Sequence, residues 1–294
     1  MFDKILVPLD GSEEAESTFP YLRDLAPRFD SQVDILGVGI GGKRRRLNRI
    51  LRGYLEEVAT TFQGSGIKAK SVLLFGNPAD EILDHAEQND TDLIIMSTRG
   101  RSGFTRWWIG SVAEKIISGS SSPVLLVRNK KPREANAIKE SPFMKILAPL
   151  DGSDIGEAAL LHIEELALKT KALVSLIQVI PQPGTIEANV FRSTGGDIVA
   201  AVRSASEDYL GNVAKRLGER GIKTTHEVII GDPADKLVEY AEDKEVGLIA
   251  MSTHGRSGVA RWMLGSVADK VLHGAKVPVW LVRSPRMICP ELKT

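Results

Sequence analysis

The chain has 294 residues, enough for two domains of ordinary size that each bury a core. Lys plus Arg and Asp plus Glu number 38 each, so no global field recruits nucleic acid or an anionic membrane, and any anion must be held locally. The single cysteine, Cys289, excludes a disulfide framework and a cysteine-rich metal site, while the Met1 to Pro8 start and the lack of any apolar run near ~20 residues exclude a signal peptide and a membrane span, so a soluble cytoplasmic protein is expected.

Lys4 to Asp10 is a short apolar run that stops at Asp10-Gly11-Ser12, as a strand buried on both faces of a parallel sheet would. Lys145 to Ser153 repeats it. Pro8 and Pro149 have no N–H to give, so each belongs at a strand end, which leaves Asp10 and Asp151 at the edge where open α/β sheets bind ligands. A helical pattern follows on Ala15, Phe19, Leu22 and Leu25, and again on Ala158, Leu161, Ile163 and Leu166. Strands are then expected at Val33 to Val38 and at Leu173 to Val179.

Gly37 to Gly42 matches the GxGxxG dinucleotide fingerprint in form but not in context. It precedes Lys43-Arg44-Arg45-Arg46 instead of opening a helix after the first strand, and its counterpart Gln178 to Pro183 has no glycine. It reads as a loop, and the basic run as a solvated helix face. The second half carries about fourteen extra residues between Ile180 and Ala205, as a longer loop or an extra helical turn. Each half continues with a helix ending near Gly66 or Gly221, a strand (Ala69 to Phe75; Thr225 to Ile230), and a helix start: Asn77-Pro78-Ala79-Asp80 or Asp232-Pro233-Ala234-Asp235. An Asn or Asp N-cap before Pro is a structural signal.

The last units are an apolar strand (Leu93 to Met96; Leu248 to Met251), a loop, a helix (Val112 to Ile117; Val267 to Leu272) and a fifth strand (Pro123 to Val127; Pro278 to Val282). The loops, Ser97 to Val112 and Ser252 to Val267, agree at eleven of sixteen positions. A glycine-lined approach to a helix start seats an anion on unpaired backbone N–H groups, with Ser111 and Ser266 able to cap the helix or bond a phosphate. A plain strand-to-helix turn with a serine cap is the bland alternative. Five strand–helix alternations per half define two doubly wound α/β domains, 1–133 and 142–286, joined by a charged segment that includes residues 129–140.

With these parts assembled, the chain resembles a tandem universal stress protein over essentially its whole length. Nucleotide-binding members carry G-x2-G-x9-G-[S/T], which falls here on Ser97, Gly100, Gly110 and Ser111 and on Ser252, Gly255, Gly265 and Ser266, with Ser in place of the first Gly twice. The resemblance implies two Rossmann-like (adenine nucleotide alpha hydrolase-like) parallel five-stranded sheets of order 3-2-1-4-5. It further implies one ATP per domain, with Pro8, Asp10, Pro149 and Asp151 on the nucleoside side and the Val38 and Val179 backbones at the adenine edge. Met96 and Met251 would line the pocket, and the Gly-Ser pairs with Val112 and Val267 would hold phosphates. Asp10 and Asp151 could hold Mg²⁺ beside phosphates or simply cap the following turn.

No Walker A, HExxH or GxSxG signature is present, and the five histidines are scattered, with His254 replaced by Arg99 in the first copy. A nucleotide-dependent regulator with slow or no hydrolysis is the expectation. An ATP-hydrolysing or nucleotide-transferring enzyme and a scaffold without nucleotide are the alternatives. An apolar fifth strand at a sheet edge is an association hazard unless covered, and the resemblance implies the cover: the two fifth strands pair antiparallel as an intrachain pseudo-dimer, with Trp280 either across that junction or in its own core, and with room for a further homodimer.

Overall fold

A computed structural model describes residues 2–39, 45–98, 109–128, 141–181, 196–254 and 264–284. The chain divides into two compact units. The first takes residues up to Pro142 together with Pro278–Arg283, and the second is built mainly on Phe143 onward.

In the first unit β1 (Lys4–Pro8), β2 (Gln32–Gly39), β3 (Lys68–Phe75), β4 (Leu93–Ser97) and β5 (Val124–Val127) lie in the order β3-β2-β1-β4-β5, all parallel. Ile5, Leu6 and Val7 of β1 are buried because helices cover both faces, which is why the strand is a continuous apolar run rather than an alternating one. The helices are α1 (Glu13–Glu16), α2 (Phe19–Phe29), α3 (Arg45–Gly64), α4 (Pro78–Gln88) and α5 (Ser111–Gly119). The same unit takes in a strand from the far end of the chain, Val279–Val282, which pairs antiparallel with β5 through Val279↔Leu126, Trp280↔Leu125 and Leu281↔Val124. Trp280 lies against Phe2, ring centroids 5.4 Å apart.

The second unit repeats the design. Its strands β6 (Lys145–Pro149), β7 (Leu173–Ile180), β8 (Lys223–Ile230) and β9 (Leu248–Ser252) run parallel in the order β8-β7-β6-β9. A 3-10 turn at Gly156–Ala159 leads into α6 (Leu160–Thr170), followed along the chain by α7 (Gly196–Glu219), α8 (Pro233–Asp243) and α9 (Ser266–Gly274). The expected α/β fold with parallel sheets in a tandem arrangement is the fold observed.

Three local expectations need correction. The first helical pattern breaks into α1 and α2, with Pro20 in the first turn of the second helix, where its missing N–H costs no helical bond. Of the expected stripe, Ile163 and Leu166 are buried in α6, whereas Leu161 is 60% exposed and its place is taken by Leu160, with Ala159 buried just before the helix. Gly37 and Gly39 are paired residues of β2 instead of loop residues. A Cβ at Gly37 would stand 2.7 Å from Leu55 Cδ1, so the glycine serves close approach of α3. Gly41, Gly42, Lys43 and Arg44 lie outside the described residues, whereas Arg45 and Arg46 are exposed at the start of α3.

Candidate functional site

Each unit has a cavity at the carboxyl ends of its strands, where the strand order reverses and open α/β sheets place their ligands. The first, of about 290 Å³, is lined by Pro8, Asp10, Val38, Met96, Ser97, Gly110, Ser111 and Val112. The second, of about 340 Å³, is lined by Pro149, Asp151, Val179, Met251, Ser252, Gly265, Ser266 and Val267. These are the residues singled out in the sequence, brought together in both halves, except that Gly100 and Gly255 lie outside the described residues, as do the loop arginines Arg101, Arg106, Arg256 and Arg261.

One wall is a helix start. Gly110 and Gly265 are the N-caps of α5 and α9, both in extended conformation (φ −65° and −61°), and neither helix has a side-chain cap. The serines therefore occupy the first helical position and do not cap, contrary to one of their expected roles. Gly110 N–H donates to Thr98 O at 2.8 Å and Gly265 N–H to Thr253 O at 2.9 Å. The first bonds inside the helices, Glu114 N–H to Gly110 O and Asp269 N–H to Gly265 O, come four residues later. The N–H groups of Ser111, Val112 and Ala113, and of Ser266, Val267 and Ala268, precede those bonds, and all six residues line the cavities. Three such donors with roughly half a positive charge at the helix end suit an anion. Glycine is required here for closeness, since a Cβ at Gly265 would stand 3.0 Å from Thr253 O.

The aspartates line the same cavities. β1 and β6 end at Pro8 and Pro149, with ladder bonds continuing just beyond, Leu9 N–H to Leu36 O and Leu150 N–H to Ile177 O. Gly11 and Gly152 then adopt φ of 78° and 80°, a conformation costly to other residues. That turn lets Ser12 donate to Asp10 Oδ1 from both N–H (3.0 Å) and Oγ (2.5 Å), and Ser153 donate likewise to Asp151 (3.0 and 2.6 Å). Ser12 Oγ in turn accepts from Ala15 N–H, and Ser153 Oγ from Gly156 N–H. Each aspartate thus holds its turn and also faces the cavity. Among the described residues no three His, Cys, Asp or Glu side chains gather as a metal site.

Some lining residues escaped the sequence reading. Pro78 and Pro233, read as purely structural helix starts, also line the cavities, as do Ile82 and Leu237 one turn on. The signal was their repetition at matched places in both halves. Their helices are capped as read: Asn77 accepts from Ala79 N–H, and Asp232 from Ala234 and Asp235 N–H. His254, Gln178 and Val202 line only the second cavity. His254 is buried with Nδ1 3.0 Å from Thr253 Oγ1. Ser97, which stands where the family motif has glycine, is a buried, paired residue closing β4, a position that accommodates a side chain.

Two α/β units, each with a cavity at the strand reversal and a helix start in its wall, define a protein with the same cavity built twice. The universal stress protein family model matches residues 43–128 and 142–283, and the chain belongs to that family. It is 34% identical over 155 residues to a universal stress protein of Methanocaldococcus jannaschii, covering 50% of this chain and 86% of that one. With a universal stress protein of Synechocystis it shares 23% identity over 314 aligned residues, covering 95% of this chain and 99% of the relative. The crystal structure of a universal stress protein from Archaeoglobus fulgidus superposes with a TM-score of 0.75 at 23% identity, over 96% of this chain and 99% of that one.

Proposed function

We propose that each half binds one adenine nucleotide, ATP by preference, and that the chain is a nucleotide-dependent regulator in the cytoplasm rather than a fast enzyme. One observation carries the reading: in both halves the residues of the helix start and the strand-end aspartate line the same cavity. The amides suit phosphate, and an aspartate lining the same cavity suits ribose hydroxyls. Mg²⁺ would be held by phosphate oxygens with Asp10 or Asp151, the carboxylates already lining each cavity.

Each amide-to-phosphate bond contributes about 1.5 to 3 kcal/mol, so a few suffice for micromolar affinity. Titration calorimetry of the full chain should give two ATP equivalents. Gly110→Val or Gly265→Val should each leave one, and the double variant none while still unfolding cooperatively. A wild-type stoichiometry of zero or one overturns the two-site reading.

Turnover should fall well below the ~10 s⁻¹ typical of enzymes. A rate above about 1 s⁻¹ that vanishes in Asp10→Ala with Asp151→Ala would instead establish the enzyme alternative.

A further inference from the structure

The first half of α3 is left out of the core. None of residues 45–54 is buried, and the buried face of the helix begins at Leu55 and continues through Val58, Ala59 and Phe62. The exposed stretch carries Arg45, Arg46, Arg49 and Arg52 and no acidic residue. Arg45, Arg49 and Arg52 recur at i, i+4 and i+7, so they share one side of the helix, where like charges repel. Among the described residues, Arg28, Arg203, Arg216 and Arg220 are held by carboxylates and Arg283 by the carbonyls of Ile117 and Ser118, whereas the four on α3 have no ion pair or hydrogen bond.

The fold does not require these cations. Tyr54 donates to Glu16 and Tyr209 to Glu157, which aligns α3 with α7 and places Ala200, Ala201, Ser204 and Glu207 at the four positions in the second half. The same helix is thus built once without them. The first cavity does not require them either, since none of residues 45–54 lines it. The chain's balance of 38 cations and 38 anions sets no overall field and leaves this local excess in place.

Apolar side chains stand among the charges. Leu47 is 51% and Ile50 60% exposed, one turn apart on the same stretch. Phe75, 50% exposed, closes β3 at the end of the strand order. A Cβ at Gly39 would stand 2.9 Å from both the Phe75 ring and Asn48 Oδ1, so the ring adjoins the first turn of α3. Single exposed apolar residues are ordinary on a surface, but three beside four unpaired arginines form a mixed patch that points to a partner.

We propose that the first half of α3, with Phe75, is a docking surface for an anionic lipid bilayer. Arginines meet the headgroup phosphates there, and aliphatic and aromatic side chains enter the boundary with the acyl chains. Nucleic acid offers the phosphates without the apolar layer, and a bilayer, unlike a protein partner, needs no shaped counterpart.

Co-sedimentation of the full chain with vesicles, run without nucleotide so that the result stands apart from the nucleotide reading, tests the proposal. Vesicles of phosphatidylcholine with phosphatidylglycerol should bind the chain, and phosphatidylcholine alone should not. Arg45→Glu with Arg49→Glu should weaken binding at least about twenty-fivefold, roughly fivefold for each cation removed. Both positions are exposed near a helix start, where acidic residues are favourable, so the fold should persist. Leu47→Gln with Ile50→Gln keeps every charge and should weaken binding about tenfold or more. No binding to the anionic vesicles, equal binding to the neutral ones, or an unchanged affinity in either variant overturns the proposal. So does a duplex oligonucleotide that binds more tightly than the vesicles and is released by the arginine variant alone, which would assign the patch to nucleic acid.

Discussion

At the scale of single residues, the site depends on atoms that serve the fold and the ligand together. Asp10 Oδ1 receives two bonds from Ser12, so Asp10→Ala should cost about 1 kcal/mol of stability as well as weaken binding, whereas Asp10→Asn keeps an acceptor and should preserve the turn. Chemical denaturation of the two variants separates the effects. Asp232 offers a pH test of the same logic. The Asp235 N–H bond, with help from Lys270 and Ala234, holds its carboxyl below the usual 3.8. A folded-state pKa below the unfolded one stabilises the fold above the unfolded value, and that contribution is lost as the pH falls through the folded value. Thermal unfolding from pH 6 to pH 2 should therefore show a decline that Asp232→Asn diminishes. At neutral pH the Asn variant should stay within about 0.5 kcal/mol of wild type, because Asn77 already caps the equivalent helix, while Asp232→Ala should lose about 1 kcal/mol.

At the scale of elements, helix phase decides which leucines matter. Leu160 is 3% exposed and its neighbour Leu161 is 60% exposed on α6. Leu160→Ala should destabilise the protein by about 2 to 5 kcal/mol, and Leu161→Ala by less than about 0.5 kcal/mol. Equal losses would place α6 in a different rotation. The glycine N-caps of α5 and α9 work at this scale too. They leave the helix starts without a side-chain acceptor, so the anion-directed donors remain available in the wall of each cavity.

At the scale of the whole molecule, the antiparallel pairing of β5 with the strand Val279–Val282 supplies a cover for an apolar edge that would otherwise promote association. We propose that this pairing makes one chain the equivalent of a dimer of single domains, with domain limits near 1–133 and 142–286. Residues 1 to 133 expressed alone should then form a homodimer through the vacated edge of β5. Light scattering that shows a stable, soluble monomer at tens of micromolar would refute the pairing model.

The sequence by itself determined the order of strands and helices along the chain, the ends of β1 and β6 at their prolines, and the helix starts at Asn77 and Asp232. These are signals carried by local chemistry, because a missing N–H, a short side chain that caps, or a glycine in a tight turn acts over a few residues and leaves a readable pattern. Only the tertiary structure decided the rotation of α6, the place of Gly37 beneath α3, the second role of Pro78 and Pro233 in the cavity walls, and the burial of Gln178 beside the second cavity. Each of these depends on what another element presses against it, and no local pattern in the chain records the distance to a residue on a different strand or helix.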